Sequence, residues 1–141
     1  MATRSGAYLL IDDDFDDQEI FSIAIRAADP WGDCIFANDG EHALRMLKNE
    51  PIHPLIIFID INMPRMNGVD CLKEIKKLKR FAQTPVYMIS TAGNPSIIEE
   101  CKKHGAIDYI IKSPSLAQLE KKLSEIVEKS KSMQTQVNGE K

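Results

Sequence analysis

Nothing in the chain is apolar for long enough to cross a bilayer. The longest runs, around Leu55–Ile59 and Val86–Ile89, fall far short of the about 20 residues a spanning helix needs. Met1–Gly6 carries no apolar signal core, so no leader is expected. Cysteine is scarce: Cys34, Cys71 and Cys101 are odd in number and lack framework spacing. That argues against a disulfide scaffold and fits reduced thiols in a cytoplasm. Basic excess is missing too, since a formal charge of −3 gives no footprint for nucleic acid. What remains is ordinary: 141 residues, 43% apolar and 28% charged, as expected for one cytoplasmic globular domain with a single core.

The order of residues is less ordinary. Short apolar runs recur at Tyr8–Ile11, Cys34–Ala37, Leu55–Ile59, Val86–Ile89 and Tyr109–Ile111, and each ends in turn or polar residues. Between them the apolar spacing is helical, with Ile20, Ala24 and Ala27 on one face and Leu72, Ile75 and Leu78 on another. The last segment is the clearest: Leu116, Leu119, Leu123, Ile126 and Val127 fall at helix intervals. Asn94-Pro95 predicts a helix start that Gly105 closes, and Ser115 with Gln118 predicts a capping box. Five strands alternating with five helices imply βαβ units around a parallel sheet covered on both faces. From Lys129 the periodicity stops, so residues 129–141 are expected to be a frayed polar tail on a domain spanning 1–128.

Acidic residues concentrate where such a sheet would place a ligand. The stretch IDDDFDD (residues 11–17) follows the first strand, and Asp60 ends the third, LIIFID. Ligands of open α/β sheets gather beyond the carboxyl ends of the strands, where the strand order reverses. If those strands are neighbours, Asp12, Asp13 and Asp60 converge, which is unfavourable without a cation among them. Hard oxygen donors suit Mg²⁺, and Mn²⁺ could substitute. The fourth strand ends in Ser90-Thr91 and the fifth in Lys112. A metal site, a hydroxyl and an ammonium at one sheet edge are what a phosphoryl group on a carboxylate needs.

These residues resemble the receiver domains of two-component response regulators. The likeness covers residues 7 to 128 and is carried by LLIDDD, DINMPRMNG, MISTAG and GAIDYIIK. It implies a flavodoxin-like (βα)5 fold with strand order 2-1-3-4-5. By position, Asp60 would accept a phosphoryl group from a sensor histidine kinase or a histidine phosphotransfer protein, with Mg²⁺ present. Asp13 and Asp60 would bind the metal through side chains, Asn62 through its backbone carbonyl and Asp12 through water. Ser90 would be the switch hydroxyl, Tyr109 the switch aromatic and Lys112 the phosphate-binding lysine. A stand-alone receiver of this kind is not a turnover enzyme. It would signal to a downstream protein through the face built by the fourth helix, fifth strand and fifth helix, with no role at nucleic acid or membrane.

One departure stands out. The family's lysine is usually followed by proline through a cis peptide, whereas this chain reads Lys112-Ser113-Pro114. A trans Lys112–Ser113 bond is expected, because a cis bond before a non-proline residue costs about 2.5–4 kcal/mol. Two other functions compete: a haloacid-dehalogenase-type phosphatase using Asp12-x-Asp14, and an adaptor that works without phosphorylation. Asp16 and Asp17 are expected in the first turn of helix one, where the helix dipole favours them, while Asp14 has no assigned role. Cys101 and His104 share a helix face but lack further zinc ligands. The Lys73–Arg80 cluster reads as a solvated helix face, and Trp31 as a loop residue remote from the acids.

Overall fold

The computed structural model describes residues 7–91, 93–112 and 115–139. Five strands are present: β1 (Ala7–Ile11), β2 (Asp33–Ala37), β3 (Pro54–Asp60), β4 (Val86–Ser90) and β5 (Asp108–Ile111). They alternate with α1 (Phe15–Ala28), α2 (Gly40–Asn49), α3 (Gly68–Lys77), α4 (Pro95–Lys103) and α5 (Leu116–Gly139), and a 3₁₀ turn at Lys79–Phe81 follows α3. All strand pairings are parallel, in the order β2-β1-β3-β4-β5. This is the expected flavodoxin-like arrangement. The order reverses between β1 and β3, so the carboxyl ends of those two strands flank the crevice.

The helices start where the sequence provides a short polar acceptor. Asp14, Asp39, Asn67 and Asn94 cap α1 to α4, each accepting from backbone N–H groups of the first turn. For α5, Ser115 Oγ accepts from the Gln118 N–H at 3.3 Å. Pro95 opens α4, and Gly105, at φ 110°, takes the left-handed turn that closes it.

Both faces of the sheet are covered, so the strands are apolar on both sides. Leu9, Ile11, Ile57, Ile59 and Met88 pack under Ala43, Leu47, Leu72 and Ile75 of α2 and α3 and Cys101 of α4. Tyr8, Leu10, Phe58, Tyr87 and Ile110 pack on the opposite side against α1 and α5 through Phe21, Ala24, Ile25, Leu123, Ile126 and Val127. Phe58 sits between Phe21, edge-on at 4.8 Å, and Tyr87, stacked at 5.9 Å.

Two helices differ from the sequence expectation. On α1 the buried stripe is Gln18, Phe21, Ala24 and Ile25, while Ile20 and Ala27 face outward. The sheet presents Phe58 to that helix, and Phe21 meets it with Ala24 and Ile25 on the same face, which turns Ile20, about 100° round the helix from Phe21, outward. The last helix continues past Lys129. It runs to Gly139, because no proline or glycine interrupts Leu116–Asn138 and turns already set by Leu123–Val127 propagate at little further cost. Lys131 also reaches the fully buried Asp29 at 3.5 Å.

Candidate functional site

Three carboxylates meet at the carboxyl ends of β1 and β3. Oxygens of Asp12, Asp13 and Asp60 all lie within 4.8 Å of one another, and no other such cluster of potential ligands occurs among the described residues. β1 and β3 are adjacent and in register, Ile11 against Ile59, so their next residues turn into the same space. The three acids are not equivalent. Asp12 and Asp60 are 1% and 3% exposed, whereas Asp13 opens to solvent.

Burial shapes their electrostatics. The Asp12 carboxyl is pushed up to about 6, first by burial and further by the charges of Asp60 and Asp17, although the Asp14 N–H and Lys112 pull it down. Asp60 is raised too, again by burial first, against the lowering effect of Lys112 and the Asn62 N–H. That N–H donates to Asp60 Oδ1 at 3.2 Å, and the Asp14 N–H donates to Asp12 Oδ1 at 3.0 Å.

Lys112 brings the counter-charge. Its backbone N–H donates to the Ser90 carbonyl at 2.7 Å, which fixes the end of β5 beside β4. Its Nζ lies 3.3 Å from Asp12 Oδ2, 3.3 Å from Asp60 Oδ2 and 2.7 Å from Asp17 Oδ2. Burial alone would lower this ammonium, but the Asp17 hydrogen bond and the three negative charges raise it above the usual lysine value. Ser113 and Pro114, and with them the expected trans bond after Lys112, lie outside the described residues.

The β3–α3 loop is seated by a close approach. Gly68 opens α3 with its N–H donating to the Ile61 carbonyl at 2.9 Å. A Cβ there would collide with the Asp60 carbonyl oxygen and stand 2.7 Å from Ile61 Cα. Only glycine lets the helix start this near the end of β3. Within the loop, Arg65 has φ 66°, and the Met66 N–H closes a tight turn onto the Pro64 carbonyl.

Three carboxylates in one strand-end cleft, two of them in contact with the Lys112 ammonium, define a class of chemistry but not a family. The family model of the response regulator receiver domain matches residues 8–124. The chain is a member of that family.

Its similarities are broad. The probable C4-dicarboxylate response regulator DctR of Bacillus subtilis is 31% identical over 123 residues, which cover 87% of this chain and 53% of that protein. The transcriptional regulatory protein HptR of Staphylococcus aureus is 33% identical over 129 residues, 88% of this chain and 48% of its own length. The chain thus spans about half the length of the curated relatives it matches. Among solved structures, the chemotaxis protein CheY4 of Vibrio cholerae superposes with a TM-score of 0.74 at 27% identity, covering 85% of this chain and 97% of that one.

As a receiver, this chain is a phosphoacceptor signalling module of two-component systems rather than a turnover enzyme. Asp12, Asp13 and Asp60 form an acidic triad of the type receivers use for a metal, and hard carboxylate donors with buried, unfavourable charge fit a divalent cation. Receivers pair with histidine kinases. No helix among the described residues is long and apolar enough to cross a membrane.

Other sequence expectations can be placed in this receiver. Ser90 is buried at the end of β4, and its neighbour Thr91 lines the open cleft with Asp13, Asp60, Asn62 and Lys112. Tyr109 is half-buried beside the β4–α4 connection, where a Cβ on Gly93 would stand 3.9 Å from Tyr109 Cε2. Asp14, unassigned from sequence, is the cap of α1: its Oδ1 accepts from Asp16 at 2.8 Å and Asp17 at 3.2 Å. That use removes the Asp12-x-Asp14 pair on which the phosphatase alternative depended. Lys73, Lys76, Lys77 and Arg80 are engaged with Glu100, Thr84, Glu74 and Ile52 respectively. Cys101 is buried and His104 exposed.

Two residues near the site went unread. Asp17 was expected only to favour the helix dipole, yet it makes the shortest contact to Lys112. Gln18 is buried and its Nε2 donates to the Asp12 carbonyl at 2.8 Å and Asn38 Oδ1 at 3.0 Å, tying the acid pair to the β2–α2 connection. No sequence signal marked Gln18, because a glutamine one turn into a helix reads as solvent-facing until the fold shows it buried.

Proposed function

We propose that Asp60 is the phosphoacceptor, taking a phosphoryl group from a histidine of a sensor kinase or a histidine phosphotransfer protein. A carboxylate oxygen of Asp60 forms the new O–P bond as the N–P bond breaks, and the bonding pair stays with the imidazole nitrogen. The observation that carries this reading is the convergence of three carboxylates and Lys112 on one strand-end cleft. Asp12, Asp13 and Asp60 would hold Mg²⁺, or Mn²⁺ in its place, with the Asn62 carbonyl as a further ligand. That ion supplies charge to offset the developing negative charge on the phosphoryl oxygens. Lys112 adds a second positive group on the same side, and Ser90 offers a hydroxyl to a phosphoryl oxygen.

Signalling would then follow a two-state element biased by new charge at Asp60. Ser90 moves toward the phosphoryl group and Tyr109 turns into the space it leaves. The surface of α4, β5 and α5 changes, and Ile107 and Ile111, large apolar side chains exposed there at 45% and 42%, offer a protein partner its contacts. Phosphotransfer from candidate kinases to the wild type and to Asp60→Asn tests the reading. Label on the wild type that is absent from Asp60→Asn is expected, and label that persists in the variant would overturn the assignment.

A further inference from the structure

We propose that Asp17 is a positioning residue of this receiver, keeping the Lys112 ammonium at the pocket when Asp12 and Asp60 are engaged by a cation. The proposal rests on the reading of Asp60 as acceptor. Lys112 has three carboxylate partners, and they differ in what else they must do. Asp12 and Asp60 belong to the acidic triad, so a cation bound there competes with the ammonium for the same oxygen lone pairs and repels it. Asp17 is outside the triad. It comes from the first turn of α1, its side chain is 34% exposed, and it makes the shortest of the three contacts, 2.7 Å against 3.3 Å and 3.3 Å.

The geometry explains why a tether matters. The backbone of Lys112 is held at Ser90, but four flexible methylenes separate that anchor from the charge. With Asp12 and Asp60 withdrawn, nothing but Asp17 among its three ion-pair partners would stop the ammonium from swinging into solvent. Positioning of this kind acts only through Lys112. A helix-dipole role for Asp17 would be indifferent to what stands at position 112.

The difference can be measured on the full chain. In ¹H–¹⁵N spectra tuned to lysine ammonium groups, the Lys112 signal is identified by its loss in Lys112→Arg. It is expected in the wild type both without metal and with saturating Mg²⁺. In Asp17→Asn, an isosteric change, it should remain without metal and vanish with Mg²⁺. A wild-type signal that vanishes with Mg²⁺, or a variant signal that survives it, overturns the proposal. Kinetics give a second readout, with phosphoramidate as the donor. Asp17→Asn should slow labelling about fivefold when Lys112 is present and less than about twofold in a Lys112→Ala background, the coupling expected of residues in one network. Equal slowing in both backgrounds, or faster labelling without Asp17, counts against it. Label surviving in Asp60→Asn would sink the acceptor reading instead, and the ammonium signal would still decide on Asp17.

Discussion

Removing the buried charge of Asp12 should stabilise the metal-free protein. Asp12 is 1% exposed and its carboxyl is raised from 3.8 to about 6. At pH 7.5 it is ionised, and the shift corresponds to roughly 3 kcal/mol of destabilisation relative to a freely solvated carboxylate. The sign follows from proton binding. The folded state holds its proton to higher pH than the unfolded chain, so the stability it contributes is complete below about pH 4 and is lost as pH rises through about 6. Asp60 is raised in the same direction and adds to the trend. Asp12→Asn keeps an acceptor for the Asp14 N–H and removes the charge. It should melt roughly 5–10 °C above wild type at pH 7.5 in chelator, with a smaller gap at pH 4.5. The assay is a set of calorimetric melts across pH 4.5–7.5 at constant ionic strength. If Asp12→Asn melts below wild type at pH 7.5, the ion pair with Lys112 outweighs burial, and the electrostatic account of the pocket is wrong.

Mg²⁺ at ten times its dissociation constant should stabilise the wild type by about 1.4 kcal/mol, since the unfolded chain lacks the pocket. Asp13→Asn, which alters the exposed member of the triad, should leave the metal-free melting temperature nearly unchanged and abolish most of that gain. Asp14→Ala removes the α1 cap and should lower stability by about 1 kcal/mol in urea melts, with the Mg²⁺ response retained. Gly68→Ala forces a methyl group against the Asp60 carbonyl and should cost about 1–3 kcal/mol; an unchanged melt would mean that α3 can back away freely. Trp31 is exposed in the α1–β2 connection, at the amino end of the sheet, so its fluorescence should ignore Mg²⁺.

The sequence by itself settled the elements and the acid set. Strand runs such as LIIFID are legible because burial on both faces demands unbroken apolar residues. Asn94-Pro95 and Gly105 are legible because few residue types satisfy the ends of a helix. Asp60 stood out only together with Asp12 and Asp13, because a single acid after a strand commonly serves as a turn or helix cap. Tertiary structure decided what depends on distant partners. Asp12, Asp13 and Asp14 are adjacent and chemically identical, yet one is buried, one faces solvent and one caps α1, a division made by where β3 and α1 lie. The stripe of α1 was misread because the rotation of the helix shows in a contact with another element, Phe21 against Phe58, that the α1 sequence does not reveal. The extension of α5 escaped notice because helix propagation from a packed segment leaves no apolar period to read. Asp17 and Lys112 are separated by 95 residues in the chain, and only the fold, in which the Lys112 side chain reaches from the end of β5 to the first turn of α1, turns a helix-dipole acid into the partner of the pocket lysine.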